Sequence, residues 1–167
     1  MLRHGEVEAP LTRYGTTFLN FSITNFGRVF QLKKHGWVER VPNYYAYVRH
    51  AHGNGASGGN AQLTIRDDTG ARHRIRIHRA VMEAFKPLAE FSHEIGIPAD
   101  VWATLPVCVT SALQFCVLVI HKDGNPKNNS IQNLEWSTPM DNHRKARLSM
   151  ISLSELAPTP IPPEAGR

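Results

Sequence analysis

Only two cysteines, Cys108 and Cys116, occur among the 167 residues. They cannot build a four-cysteine zinc site, and two thiols do not make a secreted disulfide scaffold. A reduced, cytoplasmic setting is therefore expected. Long hydrophobic runs are also missing. The longest candidate membrane stretch, Phe115 to Ile120, falls far short of the roughly 20 residues a spanning helix needs. The start, Met1 to Pro10, mixes charges without an apolar core, so no signal peptide is expected. No segment repeats another.

What is present is an ordinary globular composition. Hydrophobic residues make up 41% and charged residues 20%, enough to build a hydrophobic core and against wholesale disorder. The net charge is +5 and the pI about 9.5. A basic balance favours polyanionic partners, nucleic acid or an anionic surface.

The first 80 residues read as short strands. Within Phe18 to Gln31, Asn25–Phe26–Gly27 predicts a tight turn between two strands. Trp37 to Val41 and Tyr44 to Val48 are further strand candidates. His50 to Asn60 is a Gly-, Ser- and Asn-rich loop, which would hold His50 and His52 poorly as metal ligands. Ala61 to Arg66 and Ala71 to Ile77 predict a hairpin around Asp67 to Gly70. Alternation in the second strand sets Arg72, Arg74, Arg76 and His78 on one face and His73, Ile75 and Ile77 on the other. The arginine row is either a charged edge that blocks aggregation or a strip that contacts phosphates.

His78 to Phe85 predicts a short amphipathic helix that Pro87 stops. His78 at its start is expected to be a structural, hydrogen-bonding histidine. Pro98 to Pro106 brackets another short helix. Cys108 to Ile120 is apolar and β-branched, and its end reads as a buried strand. Leu156 to Arg167 carries Pro158, Pro160, Pro162 and Pro163 and reads as an extended or disordered tail.

The chemistry concentrates between Val117 and Ala146. A strand ends at His121, and a polar loop follows with Asp123, Gly124, Asn125, Asn128 and Asn129 as turn formers. Leu134 to Trp136 gives a second strand. Thr138 suits an N-cap, Pro139 the first helical position and Asp141 a capping-box acid. The resulting unit is strand, loop, strand, helix. It could hold the His121 imidazole over a first helical turn carrying Asp141, Asn142 and His143. Such oxygen ligands suit a hydrated divalent ion such as Mg²⁺.

"HKDGNPKNNSIQNLEW" from His121, followed by Asp141–Asn142, resembles the HNH endonucleases of the phage and homing type. The upstream "HRAVMEAF" also resembles that family. The likeness runs from His78 to Lys145, interrupted by a long stretch from Pro87 to Phe115. Phe21 to Gln31 faintly resembles the small β modules that accompany such nucleases. The resemblance implies a ββα-metal fold and hydrolysis of DNA phosphodiester bonds, leaving a 5′-phosphate and a 3′-hydroxyl. It implies that His121 is the general base, that Asn133 pins the loop and orients the base, and that Asn142 binds the metal, with Asp141 a second candidate. The metal would be Mg²⁺, with Mn²⁺ an alternative. One departure stands out. Many members place an acidic or amide ligand just before the base, where this chain has Ile120. His143 and Asp141 could compensate, or serve only as a phosphate contact and a helix cap.

The expected fold class is therefore α+β. A β-rich, DNA-contacting module (residues 1–80) would precede an HNH unit (81–150) with an insertion at about 87–115, and a flexible tail (151–167) would follow. Double-stranded DNA is the expected partner, with no membrane. Arg72, Arg74 and Arg76 would hold it together with Arg144, Lys145 and Arg147, which follow Asn142 on the helix. The rival reading is a catalytically degenerate HNH scaffold that binds DNA without cutting it.

Overall fold

A computed structural model describes residues 2–13, 16–44 and 59–145. It is a mixed α and β structure with three small antiparallel sheets. Four strands form the first: β1 (Glu8–Arg13), β2 (Thr16–Thr24), β3 (Val29–Lys33) and β4 (Gly36–Arg40), in sequence order. The second holds β5 (Asn43–Tyr44), β6 (Ala61–Arg66) and β7 (Arg72–Arg76). The third is the hairpin of β8 (Leu118–His121) and β9 (Leu134–Ser137).

Local chemistry explains most of these strands. β2 is β-branched and aromatic, and its turn into β3 is the expected Asn25–Phe26–Gly27. The β6–β7 turn is tied by Asp67, whose Oδ1 accepts from the Thr69 amide and hydroxyl and from the Ala71 amide. These bonds, the Thr69 hydroxyl first and then His73, hold the Asp67 carboxyl well below the usual carboxylate range. β1 was not anticipated. Its register with β2 shifts between Pro10 and Leu11, where a proline without an N–H is tolerated. Leu11 is nevertheless fully buried.

Helix α1 (Ile77–Phe85) begins the residue after β7 ends and runs through the middle of the molecule. Ile77, Val81 and Met82 join Leu11, Ile23 and Val29 of the first sheet, Ile65 and Ile75 of the second, and Leu134 and Trp136 of the third in one core cluster. The switch from strand to helix at Ile77 changes the fate of His78. Arg72, Arg74 and Arg76 are exposed as the strand alternation requires, but His78 turns inward and is 5% exposed. It leaves the arginine face because helical spacing replaces the period of two.

The stretch between α1 and β8 is a small helical excursion. It holds a 3₁₀ turn (Ser92–Ile95), α2 (Ala99–Thr104) between its prolines, and α3 (Val107–Cys116). Only Leu118 to His121 of the apolar run is a strand, and it is half-buried rather than buried. The excursion is anchored on β9: Glu94 Oε2 accepts from the Trp136 amide at 2.8 Å, and Trp136 Nε1 donates to the Lys86 carbonyl at 2.8 Å. Helix α4, residues 139–145 as described, follows β9. Among the described residues no helix is long and apolar enough to cross a membrane. His50, His52, Arg147, Tyr45 to Val48 and the proline-rich tail lie outside the described residues.

Candidate active site

The loop between β8 and β9 is built by side-chain amides and one carboxylate. Asn133 Oδ1 accepts from the Asp123 amide at 3.1 Å, and its Nδ2 donates to Asp123 Oδ1 at 2.9 Å and to the Asn128 carbonyl at 2.8 Å. Asp123 also accepts from the Asn125 amide and from Asn128 Nδ2, both at 2.8 Å. Hydrogen bonds from Asn128, Asn125 and Asn133, in that order of weight, hold the Asp123 carboxyl below its ordinary range. Gly124 turns the chain at φ 69°. Asn133 thus fastens the loop to itself.

His121 ends β8, opposite the fully buried Leu134. Its Nε2 lies 3.2 Å from Asn129 Oδ1, and Asn129 Nδ2 faces the Lys127 carbonyl at 3.4 Å. With an amide oxygen as partner, Nε2 must carry the proton, which leaves the Nδ1 lone pair as the acceptor. Asn129 is 5% exposed, so this contact is sheltered. The imidazole of His78 packs edge-on against His121, with centroids 5.4 Å apart. Burial first, then the His121, Arg76 and Arg79 charges, push the His78 pKa down to about 3, so it is neutral at neutral pH. Its Nδ1 has no hydrogen-bond partner, contrary to the expected hydrogen-bonding role.

The other flank is formed by α4. Thr138 caps it: Thr138 Oγ1 accepts from the Asp141 amide at 3.1 Å and donates to Asp141 Oδ2 at 2.6 Å. Asp141 is half-buried, and Asn142 and His143 are exposed. Among the described residues no hydrogen bond links His121 to Asp141, Asn142 or Asn133. The hairpin register sets which neighbours each residue of β8 meets. Ile120 pairs with Glu135 and His121 with Leu134, so adjacent residues face opposite sides. Glu135 bonds Lys145 and lines a cavity of about 420 Å³ together with Asp141. Ile120 therefore lies on the α4 side of the hairpin and His121 on the α1 side. Among the described residues no group of three His, Cys, Asp or Glu side chains could hold a metal. The remaining donors, the exposed Asn142 amide and the Asp141 carboxylate, fit a hard cation that keeps most of its waters.

Residues 117–144 match a family model described as HNH endonuclease. This segment is similar to the HNH endonuclease motif. The chain is similar in structure to the HNH homing endonuclease I-HmuI, solved for its DNA binding and cleavage. The TM-score is 0.51 over 86% of this chain, with 18% sequence identity. Identity that low speaks for the fold. The match covers 59% of the I-HmuI chain, so this chain spans about three-fifths of that structure. No curated protein sequence matches it.

Around the HNH motif lie two basic surfaces. Arg72, Arg74 and Arg76 project from β7, and Arg144 and Lys145 are exposed on α4. The β7 row extends further than its own strand. A cavity of about 180 Å³ is lined by Arg13, Arg74, Arg76 and Arg79, with Glu83 among them. Arg79 is committed to structure, since its guanidinium bonds Glu83 and the Val117 and Gln114 carbonyls. The residue that sequence reasoning passed over is Asn129. As a turn former it looked like its neighbours, and the sequence carried no sign that it alone would reach the imidazole.

Proposed function

We propose that the chain is a metal-dependent HNH DNA endonuclease that hydrolyses phosphodiester bonds. The observation that carries this reading is His121, set at a strand end inside the HNH motif with Nε2 satisfied by Asn129. Its Nδ1 is left to take a proton from an attacking water. The water oxygen bonds to phosphorus and its proton passes to Nδ1; the P–O3′ bond breaks and the leaving O3′ takes a proton from solvent water, which leaves a 5′-phosphate and a 3′-hydroxyl. Asn133 keeps the loop in shape under the base. Asn142, helped by Asp141, would hold a divalent cation, Mg²⁺ or Mn²⁺. When bound, that ion supplies charge stabilisation at the scissile phosphate and the leaving oxygen. The test is nicking of supercoiled plasmid by the full chain with Mg²⁺ or Mn²⁺, with chelator abolishing it. Retardation of the plasmid without nicking under any metal would overturn the catalytic reading.

That second reading, a DNA-binding protein on a degenerate HNH scaffold, is favoured by Ile120 alone. Because Ile120 faces the α4 side beside Glu135, Ile120→Asp places a carboxylate toward Asp141 and Asn142. Mn²⁺ affinity is expected to tighten roughly tenfold, the equivalent of about 1.4 kcal/mol. A Mn²⁺ titration followed by electron paramagnetic resonance checks it. Superimposable titrations for the two proteins would remove Ile120 from the metal position.

Arg72, Arg74 and Arg76, with Arg144, Lys145 and Arg147, are proposed to contact the phosphates of duplex DNA. Each phosphate contact contributes about 0.9 to the slope of log affinity against log salt. Replacing all three β7 arginines with glutamine is expected to flatten that slope by up to about 2.7. The slope is read from binding isotherms at several salt concentrations, and one that does not move makes the β7 row a charged edge only.

A further inference from the structure

We propose that the turn between β2 and β3, centred on Gly27, is a positioning element for His121; this rests on His121 being the general base. The turn belongs to the N-terminal sheet, yet it is seated against the catalytic loop about a hundred residues later. The Ile131 amide donates to the Asn25 carbonyl at 2.8 Å, which docks the loop on the turn. Gly27, at φ +79°, brings its backbone against Asn129. A Cβ built there would sit 2.7 Å from Asn129 Cβ, 3.3 Å from the Asn129 carbonyl oxygen and 3.2 Å from Ile77 Cγ2. No real Cβ makes the first of these contacts, so any side chain at 27 must displace its neighbours. The other positive-φ glycines described, Gly5, Gly36, Gly70, Gly96 and Gly124, have open space where a Cβ would go.

Both residues that Gly27 touches lead to the imidazole. Asn129 is nearly fully buried and faces His121 Nε2 with its side-chain oxygen. Ile77 is followed by His78, whose ring packs on the His121 ring. The turn is braced from behind as well. Asn25 Oδ1 accepts from the Val7 amide at 2.9 Å and its Nδ2 donates to the Gly5 carbonyl at 3.1 Å. The N-terminal sheet thereby sets where Asn129 stands, and Asn129 sets which nitrogen of His121 carries the proton. Backbone strain is a separate matter. A turn glycine needs a positive φ whatever it touches, and among the described positive-φ glycines only Gly27 adds a close approach to a side chain on the base.

The experiment compares Gly27→Ala with Gly96→Ala, which imposes the same strain at φ 79° in open space. Nitrogen-15 and proton spectra of the His121 ring in the full chain report its tautomer, and plasmid nicking gives kcat and KM. Gly27→Ala is expected to shift the ring signals and lower kcat about 10- to 100-fold, the order that a misplacement near 1 Å produces, with KM little changed. Gly96→Ala should leave both as in the wild type. Ring signals and kcat in Gly27→Ala that match Gly96→Ala overturn the proposal. If Gly27→Ala does not fold, Asn25→Ala, which loosens the turn without a clash, is expected to move the same ring signals by less. Unmoved signals in that variant overturn the proposal equally. The ring spectra need no activity, so a wild type that does not nick DNA defeats the nuclease reading and leaves the positioning link decided by its own measurement.

Discussion

His121→Ala is expected to lower plasmid nicking about 10²- to 10⁴-fold, the range that a positioned general base contributes, while the protein still retards the plasmid in a gel. The size follows from how the imidazole is held. With Nε2 against Asn129, only Nδ1 is left to accept a proton, and alanine removes that acceptor outright. His78, the ring that packs on it, is no substitute, because it is buried on the α1 side with its own Nδ1 enclosed. Binding should survive, because the proposed phosphate contacts lie on β7 and α4 rather than at the end of β8. The half-buried site makes a large stability loss unexpected, which thermal unfolding of the variant would confirm. Equal nicking rates for wild type and His121→Ala, under Mg²⁺ and Mn²⁺ alike, would remove His121 as the base. Cleavage would then have to be traced to other residues.

How far the site could be read in advance depended on whether its signals were local. The strand, the Asp/Asn/Gly loop and the Thr138–Pro139 helix start are written within a few residues of where they act, so the β8–loop–β9–α4 order was legible. The amphipathic α1 and the Asn25–Phe26–Gly27 turn were legible for the same reason. The partner of His121 was not. Asn125, Asn128, Asn129 and Asn133 share one chemistry, and which of them meets the imidazole depends on a turn at residue 27 that packs against Asn129. That is a long-range contact with no local trace. His78 was misplaced because alternation was extended two residues into the helix: β7 stops at Arg76, and the helix that follows rotates His78 into the core. β1 was missed because its charges and Pro10 hide Leu11. α3 shows the limit of propensity, since a β-branched run forms a helix between Pro106 and Val117.

The inward turn of His78 has a cost in acid. An unfolded histidine titrates near 6.5, whereas in the fold its pKa is pushed down to about 3 by burial first and then by the His121, Arg76 and Arg79 charges. Between those values the unfolded chain holds a proton that the folded chain refuses. Stability is then full above about pH 6.5 and is lost as pH falls toward 3. The whole window corresponds to roughly 5 kcal/mol, and about 2 kcal/mol of it is gone by pH 5. The carboxyls of Glu6, Glu39 and Asp123 are held below their ordinary values and titrate lower still, so the interval from pH 6.5 to 5 isolates the histidine from them. His78→Met keeps an adaptable apolar side chain there and adds no titratable group. Urea unfolding is expected to show the wild type losing about 2 kcal/mol more than His78→Met between pH 7 and pH 5. Since His78 Nδ1 has no partner to lose, the variant should be little less stable at pH 7. Parallel pH profiles for the two proteins would mean that the folded chain accepts a proton at His78 as readily as the unfolded one, and that the ring beside His121 is not the neutral, desolvated neighbour its burial implies.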